Sequence, residues 1–216
     1  RTDKYEGTVE QWEEAQSVMK TILDNIGLDY KIGIDEAAFY GPKLDIQIKN
    51  VHGKEDTLIT SQIDMLLAKK VGMEYTDSND QRVTPYIIHR TSLGCYERTL
   101  ALVLEKFAGA LPLWMAPEQV RVLPIGVEHE EYAKSVRERL EAAGIRTEVD
   151  ARNEKIGYKI RQAQLEKVPY MLVVGEKEAA EGKVAVRNRG GVDLGAVSVD
   201  EFLLKALEEV RTLKLD

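Results

Sequence analysis

Between Pro85 and Arg98 the chain reads PYIIHRTSLGCYER, and His89, Arg90, Cys95, Glu97 and Arg98 could all do chemistry there. An apolar β-like run ends in this stretch and a helix starts, a junction where unpaired backbone N–H groups face outward. Three chemistries compete for it. Zinc needs three or four ligands, whereas the chain has only His52, His89 and His129 and no CxxC, HxxxH or HExxH pair. Taken alone, His89 at the end of an apolar strand reads as a hydrogen-bonded core or rim histidine. The helix dipole and the flanking Arg90 and Arg98 would lower the pKa of a Cys95 thiol. No histidine and acid accompany it at a recognised spacing, so Cys95 is expected to be a small packing residue. Phosphate binding fares better. Arg98 follows a turn centred on Gly94 and could stack on a planar base while pairing with phosphate oxygens. Lys43, after Phe39-Tyr40-Gly41-Pro42, supplies a second cation.

A second group lies further along. Arg152, Lys155, Lys159 and Arg161 gather on a Gly-containing loop and helix start, with Asn153 and Tyr158 interleaved, and Lys183, Arg187 and Arg189 mark a nearby strand. Basic residues mixed with an aromatic and an amide are what single-stranded RNA readers use to hold phosphates and read base edges. The plainer alternative is a solvated face on which Glu154 and Glu166 balance the charge.

The elements that must position these residues fall into two patterns. The first begins with a helix from about Val9 to Ile26, opened by Thr8 and Gln11 at capping-box spacing, with Trp12, Ala15, Met19, Ile22 and Ile26 on one face and Gly27 ending it. Strand-like runs follow at Tyr30–Ile34, Leu44–Ile48, Thr57–Ile63, Met73–Tyr75 and Val83–His89. A helix then runs from near Gly94 to Ala108 with Leu100, Val103, Leu104 and Phe107 inward. This is an α+β meander of antiparallel strands. Prolines at 112 and 117 bracket a short apolar anchor, which predicts a junction between a domain 1–116 and a domain 117–216. Beyond it, strands (Val120–Pro124, Ile145–Val149, Tyr170–Val174, Lys183–Asn188) alternate with helices (Glu128–Ala143, Ile156–Lys167, Val199–Leu213). The last helix is opened by Ser198 and Glu201. Such alternation predicts an α/β domain whose mixed, largely parallel sheet is covered on both faces.

Composition narrows the class. With 216 residues, 44% hydrophobic and 31% charged, the chain is long enough for one large or two small globular domains. No apolar run approaches membrane-spanning length, and no secretory leader is expected. A single cysteine fits a reducing, cytoplasmic setting. The formal charge of −7 gives no global reason to bind nucleic acid, so any such contact must come from local patches. The chain opens on Arg1 without a methionine, which predicts a piece of a longer protein.

Taken together, AFYGPKLD (38–45), TSQID (60–64), PYIIHRTSLGCYER (85–98), ARNEKIGYKIRQAQLEKVPYMLVVGEKE (151–178) and KVAVRNR (183–189) closely resemble the C-terminal part of threonyl-tRNA synthetases. These are class II aminoacyl-tRNA synthetases, and NEKIGYKIR sets them apart from their prolyl, glycyl and histidyl relatives. The resemblance implies a partial class II catalytic core built on an antiparallel sheet, followed by an α/β anticodon-binding domain with a mixed sheet. It implies that Gly94–Arg98 belongs to the third class II signature and that Arg98 packs against ATP, which arrives with magnesium. Thr60 and Gln62 become nucleotide- or amino-acid-side contacts, and Tyr40, Lys43 and Cys95 line the substrate pocket. His89 becomes one of three protein ligands to a zinc that holds the threonine amino and hydroxyl groups and so rejects valine, the other two lying upstream. Asn153, Glu178 and Arg187 become readers of anticodon bases.

The implied activity is that of a threonine–tRNA ligase acting on threonine, ATP and tRNA(Thr), homodimeric as the whole protein, cytoplasmic and without membrane contact. This chain alone is expected to be inactive, because the α-phosphate arginine and two zinc ligands are not in it. The sequence departs from the family at Thr57-Leu58-Ile59-Thr60, where better-known members carry Gln-Cys-Gly-Thr. It departs again along Ile63–Lys70 and at Cys95, which replaces a serine. Two alternatives remain: a stand-alone RNA-binding module, and a synthetase paralogue of altered amino-acid specificity.

Overall fold

The computed structural model of the chain describes residues 4–215; Arg1, and with it the expectation that begins there, lies outside them. Two compact units divide these residues, one running to Leu102 and one starting at Val103.

Unit one opens with helix α1 (Val9–Asn25). The Thr8 hydroxyl accepts from the Gln11 N–H at 3.3 Å while the Gln11 side chain accepts from the Thr8 N–H at 3.0 Å, the reciprocal box expected from the sequence. Strands β1 (Lys43–Lys49) and β2 (Glu55–Asp64) form an antiparallel hairpin. The short helix α2 (Leu67–Lys70) follows, then the two-residue strands β3 (Tyr75–Thr76) and β4 (Arg82–Val83), which pair only with each other. Asp77 closes their turn by accepting from the N–H groups of Asn79 and Gln81 at 2.9 and 2.8 Å. Strand β5 (Ile87–Arg90) adds antiparallel to β2, giving the sheet order β1-β2-β5, and helix α3 (Tyr96–Phe107) follows.

Several expected elements of this unit differ. Tyr30–Ile34 is not a strand: it holds a glycine, ends in a turn with Asp35 at φ 63°, and has no ladder partner among the described residues. Apolar alternation alone cannot make a strand without a neighbouring edge. The expected runs Met73–Tyr75 and Val83–His89 contract or split, the latter around Pro85, which cannot donate to a ladder. Along α3, Leu100 and Leu104 are exposed, against their expected place inside. Among the described residues, the buried apolar side chains of unit one are Ala15, Leu23, Pro42, Met65 and Ala68.

Unit two carries the larger core. Strand β6 (Val120–Pro124) leads through a 3₁₀ turn at Val127–His129 into helix α4 (Glu130–Ala142). Then come β7 (Thr147–Val149), α5 (Ile156–Leu165), β8 (Tyr170–Val174), α6 (Glu176–Glu181), β9 (Lys183–Asn188), β10 (Asp193–Ser198) and α7 (Val199–Arg211). The sheet order is β10-β9-β8-β6-β7. Strand β6 runs parallel to β7 and β8, while β8-β9 and β9-β10 are antiparallel, so the sheet is mixed but only half parallel. The final antiparallel strand β10 and helix α6 are additions to the expected alternation. On one face α4 and α7 cover a core built on Val120, Val122, Leu140, Leu172, Val184 and Phe202. On the other, α5 covers Leu123, Met171 and Val173. Helices therefore flank both faces, as the alternation predicts.

Candidate functional site

In unit one the hairpin register lines up the expected residues. Lys43 on β1 pairs with Gln62 on β2, and Gln62 pairs with His89 on β5. Cross-strand partners point to the same face, so these three form a row across the sheet. Alternation along β2 puts Thr60 and Asp64 on the face of Gln62, and Asp45 stands opposite Thr60. The Tyr40 hydroxyl donates to Gln62 Oε1, and Gln62 Nε2 donates to Thr60 Oγ1 at 3.2 Å. Lys43 Nζ pairs with Asp45 Oδ2 at 2.5 Å. Tyr40 reaches this row because Gly41 lies against the sheet: a Cβ at that position would sit 1.8 Å from the Ile63 carbonyl oxygen.

His89 is held by a residue that sequence reading does not single out. Asp64, 5% exposed, accepts from the Leu66 and Leu67 N–H groups through Oδ1 at 2.8 and 2.9 Å, and its Oδ2 lies 2.9 Å from His89 Nε2. Burial pushes the Asp64 carboxyl up, but the hydrogen bonds from His89 and from the two backbone N–H groups outweigh it and hold it below the usual carboxylate range. An ionised carboxylate only accepts, so His89 Nε2 carries the proton of this bond. A carboxylate behind an imidazole is the usual arrangement for orienting a metal-binding histidine. Among the described residues, however, no three His, Cys, Asp or Glu side chains cluster to hold a metal ion. The described residues by themselves do not make a zinc site. Period-two spacing puts Asp64 on the face of Thr60 and Gln62, but its partner His89 lies 25 residues along the chain, and no local pattern announces that pairing.

Arg98 lies in the first turn of α3, and its Nη1 donates to the Thr57 carbonyl at 2.9 Å. That contact needs α3 to start close to β2. Gly94, at φ 67°, allows it, since a Cβ there would lie 2.1 Å from the Leu58 carbonyl oxygen. Thr91 completes the seam through mutual hydrogen bonds with Thr60. Cys95 is exposed, which corrects its expected packing role: it lies at the mouth of the helix with too few neighbours to be covered. Its thiol donates to Glu97 Oε2 at 3.0 Å.

In unit two the carboxyl ends of the parallel strands β6, β7 and β8 open on one side, where α/β sheets usually meet ligands. Asn153 is exposed on the β7–α5 loop, and Glu178, in α6, back-bonds through Oε2 to the Gly175 N–H at 3.1 Å. Arg187 stands apart from them. It pairs with Met171 near the opposite end of β8, on the sheet face covered by α5, and its Nη2 holds Asp193 Oδ2 at 2.6 Å. The loop around Asn153 is tightly braced. Asp150 accepts from the Arg152 N–H at 3.2 Å and from its guanidinium at 2.8 and 2.6 Å. The Arg152 guanidinium beside Asp150 lowers that carboxyl below its ordinary range, against the effect of burial, and Asp150 in turn raises Arg152. Arg152 lies 5.8 Å from the Tyr158 ring centroid. Lys159, expected among the basic face, is instead buried, with Nζ donating to the Pro124 and Asp150 carbonyls at 2.9 and 3.0 Å. Sequence pattern gives no cue to that, because a lysine on a basic loop-helix junction reads as exposed.

Comparison with known proteins places both units in known families. Residues 4–107 match the model of the tRNA synthetase class II core domain (G, H, P, S and T), and residues 119–209 match that of the anticodon binding domain. A threonine–tRNA ligase of Clostridium botulinum (strain Eklund 17B / Type B) is 55% identical over 211 residues, covering 98% of this chain and 33% of that protein. Threonine–tRNA ligase 1 of Bacillus subtilis (strain 168) is 48% identical over 211 residues, covering 97% of this chain and 33% of that protein. The chain thus spans about a third of the length of the curated relatives it matches. The crystal structure of the RNA binding domain of threonyl-tRNA synthetase from Cryptosporidium parvum Iowa II superposes with a TM-score of 0.85 at 38% identity, covering 95% of this chain and 52% of that one. With a class II core segment followed by an anticodon-binding domain, and this identity along nearly its whole length, the chain belongs to the threonyl-tRNA synthetase family and matches its C-terminal part.

Proposed function

We propose that this chain is a working part of a threonine–tRNA ligase, which activates threonine with ATP and magnesium and transfers it to tRNA(Thr) in the cytoplasm. The observation that carries the reading is the row Lys43–Gln62–His89 on one face of a three-stranded sheet, with Arg98 tied to the same central strand. Activation by in-line attack on a phosphate depends on positioning and charge stabilisation, and this face offers a cation, an amide and a hydroxyl in fixed register. In this reading Arg98 stacks on the nucleotide, Thr60 and Gln62 contact nucleotide or amino acid, and Tyr40, Lys43 and Cys95 line the threonine pocket. His89 serves as one zinc ligand, with further donors from outside the described residues. The catalytic segment is 1–116 and the RNA-reading domain 117–216, where Asn153, Glu178 and Arg187 meet anticodon bases; the whole protein acts as a homodimer.

The 216-residue chain alone is expected to show no threonine-dependent ATP–pyrophosphate exchange, since its described residues hold no complete zinc site; exchange by the isolated chain overturns that part of the reading. The same chain is expected to bind a threonine-tRNA anticodon stem-loop in a salt-dependent way, with binding lost on Arg187→Ala or Asn153→Ala. Equal affinity for an unrelated stem-loop counts against recognition. A second reading, in which unit two acts alone as an RNA-binding module, is favoured by its two buried cores, which the described residues of unit one lack. Stem-loop binding by residues 111–216 equal to that of the whole chain is the outcome it expects.

A further inference from the structure

We propose that Lys159, buried beneath the β7–α5 loop, is the positioning residue that aims Asn153 at RNA. The inference rests on the anticodon-binding reading of unit two. Lys159 is 3% exposed, and its Nζ gives hydrogen bonds to two carbonyls, that of Pro124 at the carboxyl end of β6 and that of Asp150 just past β7. One side chain therefore ties together the ends of two adjacent parallel strands, at the edge where ligands meet such sheets. The tie continues outward. Asp150, fixed by Lys159 at its carbonyl and by the Val122 carbonyl at its N–H (3.0 Å), grips the Arg152 N–H and guanidinium with its carboxylate. Arg152 lies over Tyr158, the residue that precedes Lys159 in the first turn of α5. The circuit Lys159–Asp150–Arg152–Tyr158 thus closes under the loop, and Asn153 is the exposed residue next to its outermost member.

A lysine is a costly way to fill a buried position. An apolar side chain of similar length avoids the desolvation and the need for acceptors. The structure spends the lysine on loop geometry. Lys159 is too buried to meet a phosphate, which separates it from Arg152, Lys155 and Arg161 around it.

The test uses the 216-residue chain and two labelled RNAs, a threonine-tRNA anticodon stem-loop and the same stem-loop with its anticodon bases replaced. Lys159→Met is expected to unfold cooperatively, bind the first RNA about tenfold more weakly, and lose most discrimination between the two. Its slope of log affinity against log salt stays that of the wild type, because no phosphate contact is removed. Asn153→Ala costs less in the Lys159→Met background than it costs the wild-type chain, whereas two independent contributions would add. Lys159→Arg, which keeps the donors, restores part of the discrimination. Lys159→Gln, a shorter uncharged donor, is measured beside them, so that an unfolded methionine variant leaves the question answerable; it too is expected to lose discrimination. Wild-type discrimination in a folded Lys159→Met or Lys159→Gln variant overturns the proposal, as does a salt slope lowered by about 0.7, the mark of a direct phosphate contact. A wild-type chain that binds both RNAs alike takes down the anticodon reading and the proposal with it.

Discussion

Gly94 shows how a residue with no chemistry of its own governs one that has some. Its φ is 67°, and a Cβ attached to it would stand 2.1 Å from the Leu58 carbonyl oxygen, which leaves no room for a side chain. Gly94→Ala therefore forces the start of α3 away from β2 and breaks the bond from Arg98 to the Thr57 carbonyl. The expected cost is at least about 1 kcal/mol, read as a lower urea midpoint, whereas an unchanged midpoint would show that the turn can relax. Asp150 makes a pH-dependent counterpart in unit two. Its carboxyl is held below the usual range by the Arg152 guanidinium, with burial opposing. Unfolded, it would protonate at about 3.9. A lowered native pKa means that its stabilisation is complete above that value and is lost as pH falls through the native pKa. Order in the 150–155 loop is thus expected to be insensitive to pH from neutrality down to about 4.5 and to decline in more acid solution. Asp150→Asn should flatten that decline in loop amide exchange followed against pH; an equal decline in the variant would place its origin elsewhere.

At the scale of elements, burial separates what a pattern can announce from what only packing decides. Leu140 of α4 is fully buried in the core between α4, α7 and the sheet. Leu140→Ala should cost about 2–5 kcal/mol, measured by urea unfolding of the chain, while Leu100→Ala on exposed α3 should cost far less. A comparable loss at both positions would contradict the burial difference. The α4 and α7 helices are legible because their apolar positions recur at helical spacing and meet a continuous core, and α1 because Thr8 and Gln11 announce its start. The false strand at Tyr30–Ile34 and the misread face of α3 have one cause: Ile32 and Ile34 in the first, and Leu100 and Leu104 in the second, are left exposed with no neighbour covering them among the described residues. Pattern reports what a segment could bury, not whether a neighbour is there. Arg98, His89, Thr60 and Gln62 could be named from the residues and the family resemblance. Asp64 and Lys159 could not, because their roles depend on partners 25 and 35 residues away in the chain. Such contacts exist only once the register of the sheet is set.

Across the whole molecule, the two units are unequal in what holds them. Unit two buries side chains on both faces of a five-stranded sheet. Unit one has a three-stranded sheet, few buried apolar side chains among those described, and large apolar side chains left in water, among them Ile32 and Ile34 at 70% and 80% exposure. Burial of apolar surface is the dominant favourable term in folding, at roughly 25 cal/mol per Å², so the units should differ in stability and lose structure separately. Urea unfolding of the chain is expected in two steps. The first should remove the protection of backbone amides in β1, β2 and β5, and the second that of β6, β8 and β9, as read by hydrogen exchange at intermediate denaturant. A dye that binds exposed apolar surface should respond before any denaturant is added, through unit one. Residues 111–216 prepared alone should retain the second transition with its midpoint little changed. A single transition, with amides of both sheets released together, would mean that unit one draws its stability from the same cooperative core as unit two, and the difference in burial would then have no energetic consequence.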